Sequence, residues 1–270
     1  MNALFNGQTA GEWALSRGLH FGDGLFRTLL IWDEKPLDWH RHMQKLAEDC
    51  VALQLQMPEA SILEAEALQL ARGQQRAVLK ILVVRKSEGR GYSSTTNESD
   101  RLLILQSAPR YPFDHWKQGI KIFKSPIKLA TQTALAGVKH LNRLEQVLAS
   151  RYWPEGMDES ILCNDTDQPI CGTRTNLFWV TAGKVYTPPM DQCGVAGVMR
   201  SKIIQLNEKY KINMHIEMAS WEDLHEADEV FVCNALIGLW PIRQLEHRHW
   251  SETGPVSQLL QDRLNHPKLC

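Results

Sequence analysis

Two prolines in the stretch Ala108-Pro109-Arg110-Tyr111-Pro112-Phe113 do most to limit what this chain can become. Proline fixes its own φ and offers no N–H, so neither a helix nor a central strand runs through the stretch. Hydrophobic periodicity lapses there as well. With 270 residues the chain is long enough for two modest cores. The division expected is an N-terminal α+β domain over 1–108, a linker over 109–118 and a second domain over 119–270.

The first part alternates strand and helix patterns. Asn6-Gly7 is a hairpin signal after a short apolar run. Leu25 to Trp32 reads as a buried strand, and the glycines Gly22 and Gly24 before it mark a tight turn. His40 to Leu55 is a helix with Met43, Leu46, Cys50 and Leu53 on one face. Pro58 and Glu59 open another, to about Arg72. Ala77–Arg85 and Arg101–Gln106 read as strands. In the second part, 119–124, 159–164, 176–181, 184–187, 212–217 and 229–233 read as strands, three of them antiparallel neighbours over 159–187. Helices are expected after Lys139, from the glycine loop at 194 to about Tyr210, after Ser220 and near 256–264.

Composition excludes several functions. Formal net charge is −1, without the basic surplus that nucleic-acid binding needs. No apolar run spans a bilayer, and the stretch Met1–Gly7 lacks the regions of a secretory leader. The six cysteines are scattered, with neither zinc spacing nor a disulfide framework. The expectation is a cytoplasmic protein with a small-molecule substrate, no nucleic acid, no membrane and no metal.

Four places could carry chemistry. Lys139 stands just before the pattern Leu141, Leu144, Val147, Leu148. A lysine desolvated by such residues loses affinity for its proton and becomes a nucleophile, whereas a lysine before a helix is ordinarily a solvated charge. Gly194 and Gly197 open a helix, where free amides and the helix dipole suit a phosphate. Asn234-Ala235 after a strand is a second cradle of that kind. Arg90 and Tyr92, in a glycine-flanked loop, offer a fork for a carboxylate. Thr28 brings a hydroxyl on a strand. The histidines at 20, 40, 42 and 140 form no metal-ligand spacing.

Taken in order, Phe21-Gly22-Asp23-Gly24, Lys139-His140-Leu141-Asn142-Arg143-Leu144-Glu145, Asn176-Leu177-Phe178, Gly194-x-x-Gly197-Val198-Met199-Arg200 and Cys233-Asn234-Ala235-Leu236 resemble the fold-type-IV family of pyridoxal-phosphate enzymes. The resemblance covers nearly the whole chain. Within the family, the stretches around Lys139 and Asn234 look most like the aminodeoxychorismate lyase branch. The resemblance implies an α+β, two-domain architecture with pyridoxal 5'-phosphate in the interdomain cleft, and a homodimer. It implies that Lys139 joins the cofactor as a Schiff base and shuttles a proton. Gly197, Val198, Met199, Asn234 and Ala235 would hold the phosphate. Arg90 and Tyr92 would lie near substrate carboxylates, and Thr28 would protonate the leaving pyruvate. The implied reaction turns 4-amino-4-deoxychorismate into 4-aminobenzoate and pyruvate. The alternatives are a branched-chain or D-amino acid aminotransferase, or a member without turnover.

Two positions depart from the family's pattern. Its phosphate arginine, three residues after a histidine on the first-domain helix, is here Lys45, which keeps the charge without the fork. Arg41 lies one turn earlier and could compensate. The glutamate that faces the pyridine nitrogen, five residues before the asparagine of Asn176-Leu177-Phe178, is here Cys171. A thiol is a weak partner and favours a neutral ring. Elimination, with a leaving group to take the electrons, tolerates that better than transamination.

Overall fold

The computed structural model describes residues 4–5, 8–9, 11–88 and 91–270. The expected turn at Asn6-Gly7 and the candidate Arg90 lie outside them. The strands flanking that turn, β1 (Leu4–Phe5) and β2 (Gln8–Thr9), pair antiparallel. The chain forms two compact units. Unit 1 comprises Met1–Ala108 and, from far along the chain, Val138–Asn142; unit 2 comprises Pro109–Gly137 and Arg143–Cys270.

In unit 1, α1 (Arg17–Phe21) leads through Gly22 into β3 (Gly24–Trp32). Next come β4 (Lys35–Pro36), α2 (Trp39–Ala52), α3 (Ala60–Ala71), β5 (Arg76–Arg85) and β6 (Ser99–Ser107). The sheet order is β4-β3-β5-β6, antiparallel throughout. Strand residues alternate between faces. Leu25, Leu29, Ile31, Leu79, Ile81 and Val83 point one way and are buried with Met43, Leu46 and Cys50 of α2 and Leu63 and Ala67 of α3. The opposite face carries Phe26, Thr28, Lys80 and Leu82, all half-buried. Gly22 has φ +65°, and a Cβ there would run into the side chain of Asn142. Segment 138–142 closes over β3 at that point.

Unit 2 runs through α4 (Asp114–Lys117), β7 (Ile120–Lys128), α5 (Leu144–Arg151), β8 (Glu159–Cys163), β9 (Pro169–Gly172), β10 (Asn176–Thr181), β11 (Lys184–Thr187) and α6 (Val198–Tyr210). It continues with β12 (Met214–Ile216), α7 (Trp221–Glu226), β13 (Glu229–Asn234), β14 (Gly238–Leu245), β15 (Arg248–His249) and α8 (Pro255–Leu264). The sheet order is β12-β11-β10-β13-β14-β7-β8-β9, and β9 also pairs β10 through Asn176 and Cys171, so six strands close into a ring. β10 and β11 pair antiparallel as expected, but β8 lies parallel to β7, which the sequence pattern did not distinguish. One core gathers Phe178, stacked on Phe231 at 5.0 Å, with Met199, Ile203 and Leu260.

The helix expected straight after Lys139 begins only at Leu144, and its apolar stripe does not shield the lysine. Leu144, Val147 and Leu148 are 74%, 45% and 41% exposed. Residues 139–141 instead pair with β3, and that pairing overrides the local helical pattern.

The N-terminus of α8 is capped from another element. Glu229 of β13 accepts hydrogen bonds from the Val256 and Ser257 N–H groups and the Ser257 hydroxyl, at 2.7–2.9 Å. A buried carboxylate on the positive end of a helix satisfies donors that have no helical partner. Glu229→Ala is expected to lower unfolding free energy by on the order of 3 kcal/mol, read from urea unfolding followed by tryptophan fluorescence.

Candidate active site

Lys139 is placed by main-chain pairing. The Phe26 N–H donates to the Lys139 carbonyl and the Leu141 N–H to the Gly24 carbonyl, both at 2.9 Å, about the bridge of Leu25 with His140. Cross-strand neighbours share a face, so the Lys139 side chain emerges beside Phe26. Its Nζ sits 4.6 Å from the centre of the Phe26 ring. Thr28, two residues on, leaves from the same face, and Lys80 stands opposite Thr28 on β5. The Lys80 Nζ lies 4.7 Å from the same ring. One sheet face thus presents two amines, a hydroxyl and an aromatic wall. Such a face favours an anionic ligand and carries a nucleophile and a proton donor.

Beneath that face is a buried cluster of charge. Asp49, 1% exposed on α2, forms ion pairs with Arg27 and Lys45 and accepts the main-chain N–H of Lys139 at 3.2 Å. Burial lowers the Arg27 pKa to about 10. Burial, then repulsion from Arg27, brings Lys45 down to about 8. His42 drops to about 3, first through burial and then through Arg27 and Lys139. Lys45, expected toward a phosphate, is paired with Asp49.

Tyr92 is 89% exposed, and its loop is held from below by Arg17. That guanidinium donates to the carbonyls of Gly91 and Tyr92 at 2.9 and 2.8 Å and pairs with Asp23.

Unit 2 carries its own constellation. The loop into α6 is held by Asn176, whose amide donates to the Val195 carbonyl at 2.8 Å and accepts from the Gly197 N–H at 3.2 Å. The Gly137 N–H donates to Gly194 O at 3.1 Å, and the Ala196 N–H to Gly137 O at 3.0 Å. A Cβ at Gly197 would strike the Asn176 side chain. Gly197 is the N-cap of α6 and no side chain caps it; Val198 and Met199 in the first turn are buried. Helix-start amides of that kind suit an anion. Cys171 is buried and lies across from Asn176. Asn234 is occupied: its Oδ1 accepts from the Leu236 and Ile237 N–H groups at 2.8 and 3.0 Å, and its amide donates to Arg174 O. It shapes the turn at Ala235 rather than offering its side chain to a ligand.

Arg17, Arg27, Asp49 and Lys80 were not singled out from the sequence. The i,i+4 spacing of Lys45 and Asp49 was a usable signal. So was Lys80, a lone charge inside the apolar run Ala77–Val84. Among the described residues, His225, Glu246 and His247 bring one ligand atom each within 4.8 Å of one another, which no sequence spacing announced.

Residues 24–245 match the family model described as amino-transferase class IV. The chain is 31% identical to the aminodeoxychorismate lyase of Vibrio harveyi, over 92% of this chain and 94% of that one. The structure of the 4-amino-4-deoxychorismate lyase from Pseudomonas aeruginosa superposes with a TM-score of 0.87 at 37% identity, covering 96% and 97% of the two chains. The branched-chain amino acid aminotransferase of Escherichia coli shares the fold, with a TM-score of 0.82 at 23% identity over 96% of this chain and 92% of that one.

The buried His42 makes stability depend on acid. Its folded pKa lies below the unfolded value of 6.5, so between pH 6.5 and about 3 the unfolded chain binds the extra proton. Stability therefore falls as pH drops through that window, by up to about 1.4 kcal/mol per pH unit from this group. Unfolding titrations at pH 7, 6 and 5 are expected to show a shallower loss in His42→Leu than in the unmodified protein.

Proposed function

Because this chain belongs to the class IV amino-transferase family, we propose that it is a pyridoxal-phosphate-dependent lyase that converts 4-amino-4-deoxychorismate to 4-aminobenzoate and pyruvate. The observation that carries the reading is the placement of Lys139: a half-buried amine on the same sheet face as Thr28, held by main-chain pairing to β3.

The residues present fit the cofactor. Lys139 supplies the amine that joins its aldehyde. The α6 N-terminus, without a side-chain cap and with Gly197 where a Cβ would collide, supplies amides at Val198 and Met199 for the phosphate, while the N–H of Gly197, expected there as well, is committed to Asn176. The amide at Ala235, in the turn shaped by Asn234, adds to it. Lys45 supplies a positive charge, and Cys171 is the weak partner of the ring nitrogen. When bound, the cofactor supplies an electron sink that acidifies the carbon bearing the substrate amine.

The protein's own share is positioning and proton transfer. Lys139 takes the proton from that carbon, and Thr28 delivers one to the departing three-carbon fragment. Lys80 binds a substrate carboxylate from the same face, joined by Arg90 and Tyr92. The Phe26 ring excludes water from one side of the amine. Amino transfer on the same fold is the second reading; it would be favoured by a carboxylate where Cys171 stands.

We read the exposed stripe Leu144, Val147 and Leu148, extended by Tyr152 at 56% exposure, as the surface on which a second copy packs, giving a homodimer. Among the described residues no helix is long and apolar enough to cross a membrane, and no disulfide forms. Both fit a cytoplasmic enzyme.

Formation of fluorescent 4-aminobenzoate from 4-amino-4-deoxychorismate, with pyridoxal phosphate added, tests the reading. Lys139→Ala is expected to abolish turnover, and Thr28→Val to lower kcat by about 10²- to 10⁴-fold with cofactor uptake retained. Absence of product from a protein that takes up the cofactor would redirect the assignment to amino transfer. For the dimer, Leu148→Glu is expected to halve the sedimenting mass.

A further inference from the structure

The chemistry above leaves the buried carboxylate of Asp49 without a task. A carboxylate 1% exposed persists only where its partners replace lost hydration. Asp49 has three such partners, each from a different stretch of chain. Arg27 comes from β3, Lys45 from the preceding turn of α2, and the third is the main-chain N–H of Lys139.

The third contact is the informative one. The ladder between β3 and residues 139–141 uses the Lys139 carbonyl and the Leu141 N–H. The N–H of Lys139 turns out of that ladder to Asp49. Arg27 leaves β3 toward α2, while its neighbours Phe26 and Thr28 leave toward the amines. The Arg27–Asp49 pair is therefore fastened to the back of the strand whose front carries Phe26 and Thr28.

We propose that Asp49 is a positioning residue for Lys139: it fixes the main chain there and so sets the direction in which the amine leaves the sheet, with Arg27 as its counter-charge. The proposal rests on reading Lys139 as the reactive amine. Asp49 itself touches no reacting atom. Because Arg27 also balances Asp49, Lys45 is able to turn toward an anion without stranding the carboxylate.

The test compares Asp49→Asn and the double variant Arg27→Met with Asp49→Asn, in which the charges are removed together. Amide hydrogen exchange is followed at residues 138–142, with and without pyridoxal phosphate, together with kcat, KM and thermal midpoint. In Asp49→Asn, exchange at Lys139 is expected to speed by about tenfold while β5 and β6 keep their protection. Turnover is expected to fall by about tenfold or more with KM within about twofold, because orientation and not substrate affinity is lost. The double variant regains thermal stability but keeps the fast exchange and low kcat. It also carries the test alone if Asp49→Asn fails to fold. Unchanged exchange at 138–142 in either variant overturns the proposal. So does a double variant with unmodified exchange and kcat, which would leave Asp49 merely balancing Arg27. A protein that takes up no pyridoxal phosphate would refute the functional reading, and the exchange data would still judge Asp49.

Discussion

The Arg27–Asp49 ion pair is the constraint on which the arrangement around Lys139 rests. Taking two charges out of water costs several kcal/mol for each ion, and removing one partner of such a pair costs about 3–5 kcal/mol. An apolar pair of the same volume would hold the core at least as well. What the charged pair adds is direction. A carboxylate held from β3 and from within α2 keeps one strong acceptor aimed at the N–H of Lys139. Strand alternation then does the rest. Arg27 faces inward, so Phe26 and Thr28 face the amines, and a register shift by one residue would reverse both.

Unit 2 depends in a similar way on Asn176. Its main chain pairs with Cys171 and closes the ring of strands, and its side chain grips the glycine loop at both Val195 and Gly197. Asparagine carries its donor and its acceptor on separate atoms, so one side chain grips both groups at once. Gly197 then follows from contact, since any Cβ would occupy the space of the Asn176 amide. The loop is rigid because two bonds from one residue set it, and α6 starts where that loop delivers it. Buried Val198 and Met199 anchor the first turn, so the uncapped amides keep one orientation.

Much of this was legible in the sequence where the signal is local. In unit 1 the long elements α2, α3, β3, β5 and β6 followed from periodicity, since each packs one face on a core, while the short α1 and β4 did not. The glycine loop before α6 was visible because glycine in that place has few other uses. The region after Lys139 was misread for an identifiable reason. Leu141, Leu144, Val147 and Leu148 have helical spacing, and spacing reports a face without saying what covers it. Leu141 belongs to the strand-like segment on β3, and the other three point to solvent in the single chain. The Asp49 network was hidden for the opposite reason. Arg27, Asp49 and Lys139 are far apart in sequence, and a charged residue in a strand or helix reads as exposed until the partner that compensates it is known. Parallel pairing of β7 with β8 likewise leaves no local trace.

The chemistry expected at Cys171 turns on what its neighbours do with their charges. A carboxylate stands nearby in the chain fold, Glu159, but it is committed. Fully buried on β8, it accepts from the N–H groups of Ser160, Thr173 and Arg174 and from the Thr175 hydroxyl. Burial raises its pKa, and Arg174 acts against that. These bonds shape the turn 172–175 that sets Asn176 in place, so Glu159 has no lone pair to spare for a ligand's ring nitrogen. Cys171 itself packs in the cluster of Leu129, Leu162, Ile170 and Cys193. A thiol is a weak hydrogen-bond partner and gives little help to a positive ring. In the proposed reaction that loss matters least where the electrons depart with a leaving group. It matters most where they must be stored and returned, as amino transfer requires. On the proposed reading, a thiol in place of a carboxylate at Cys171 therefore favours elimination over amino transfer.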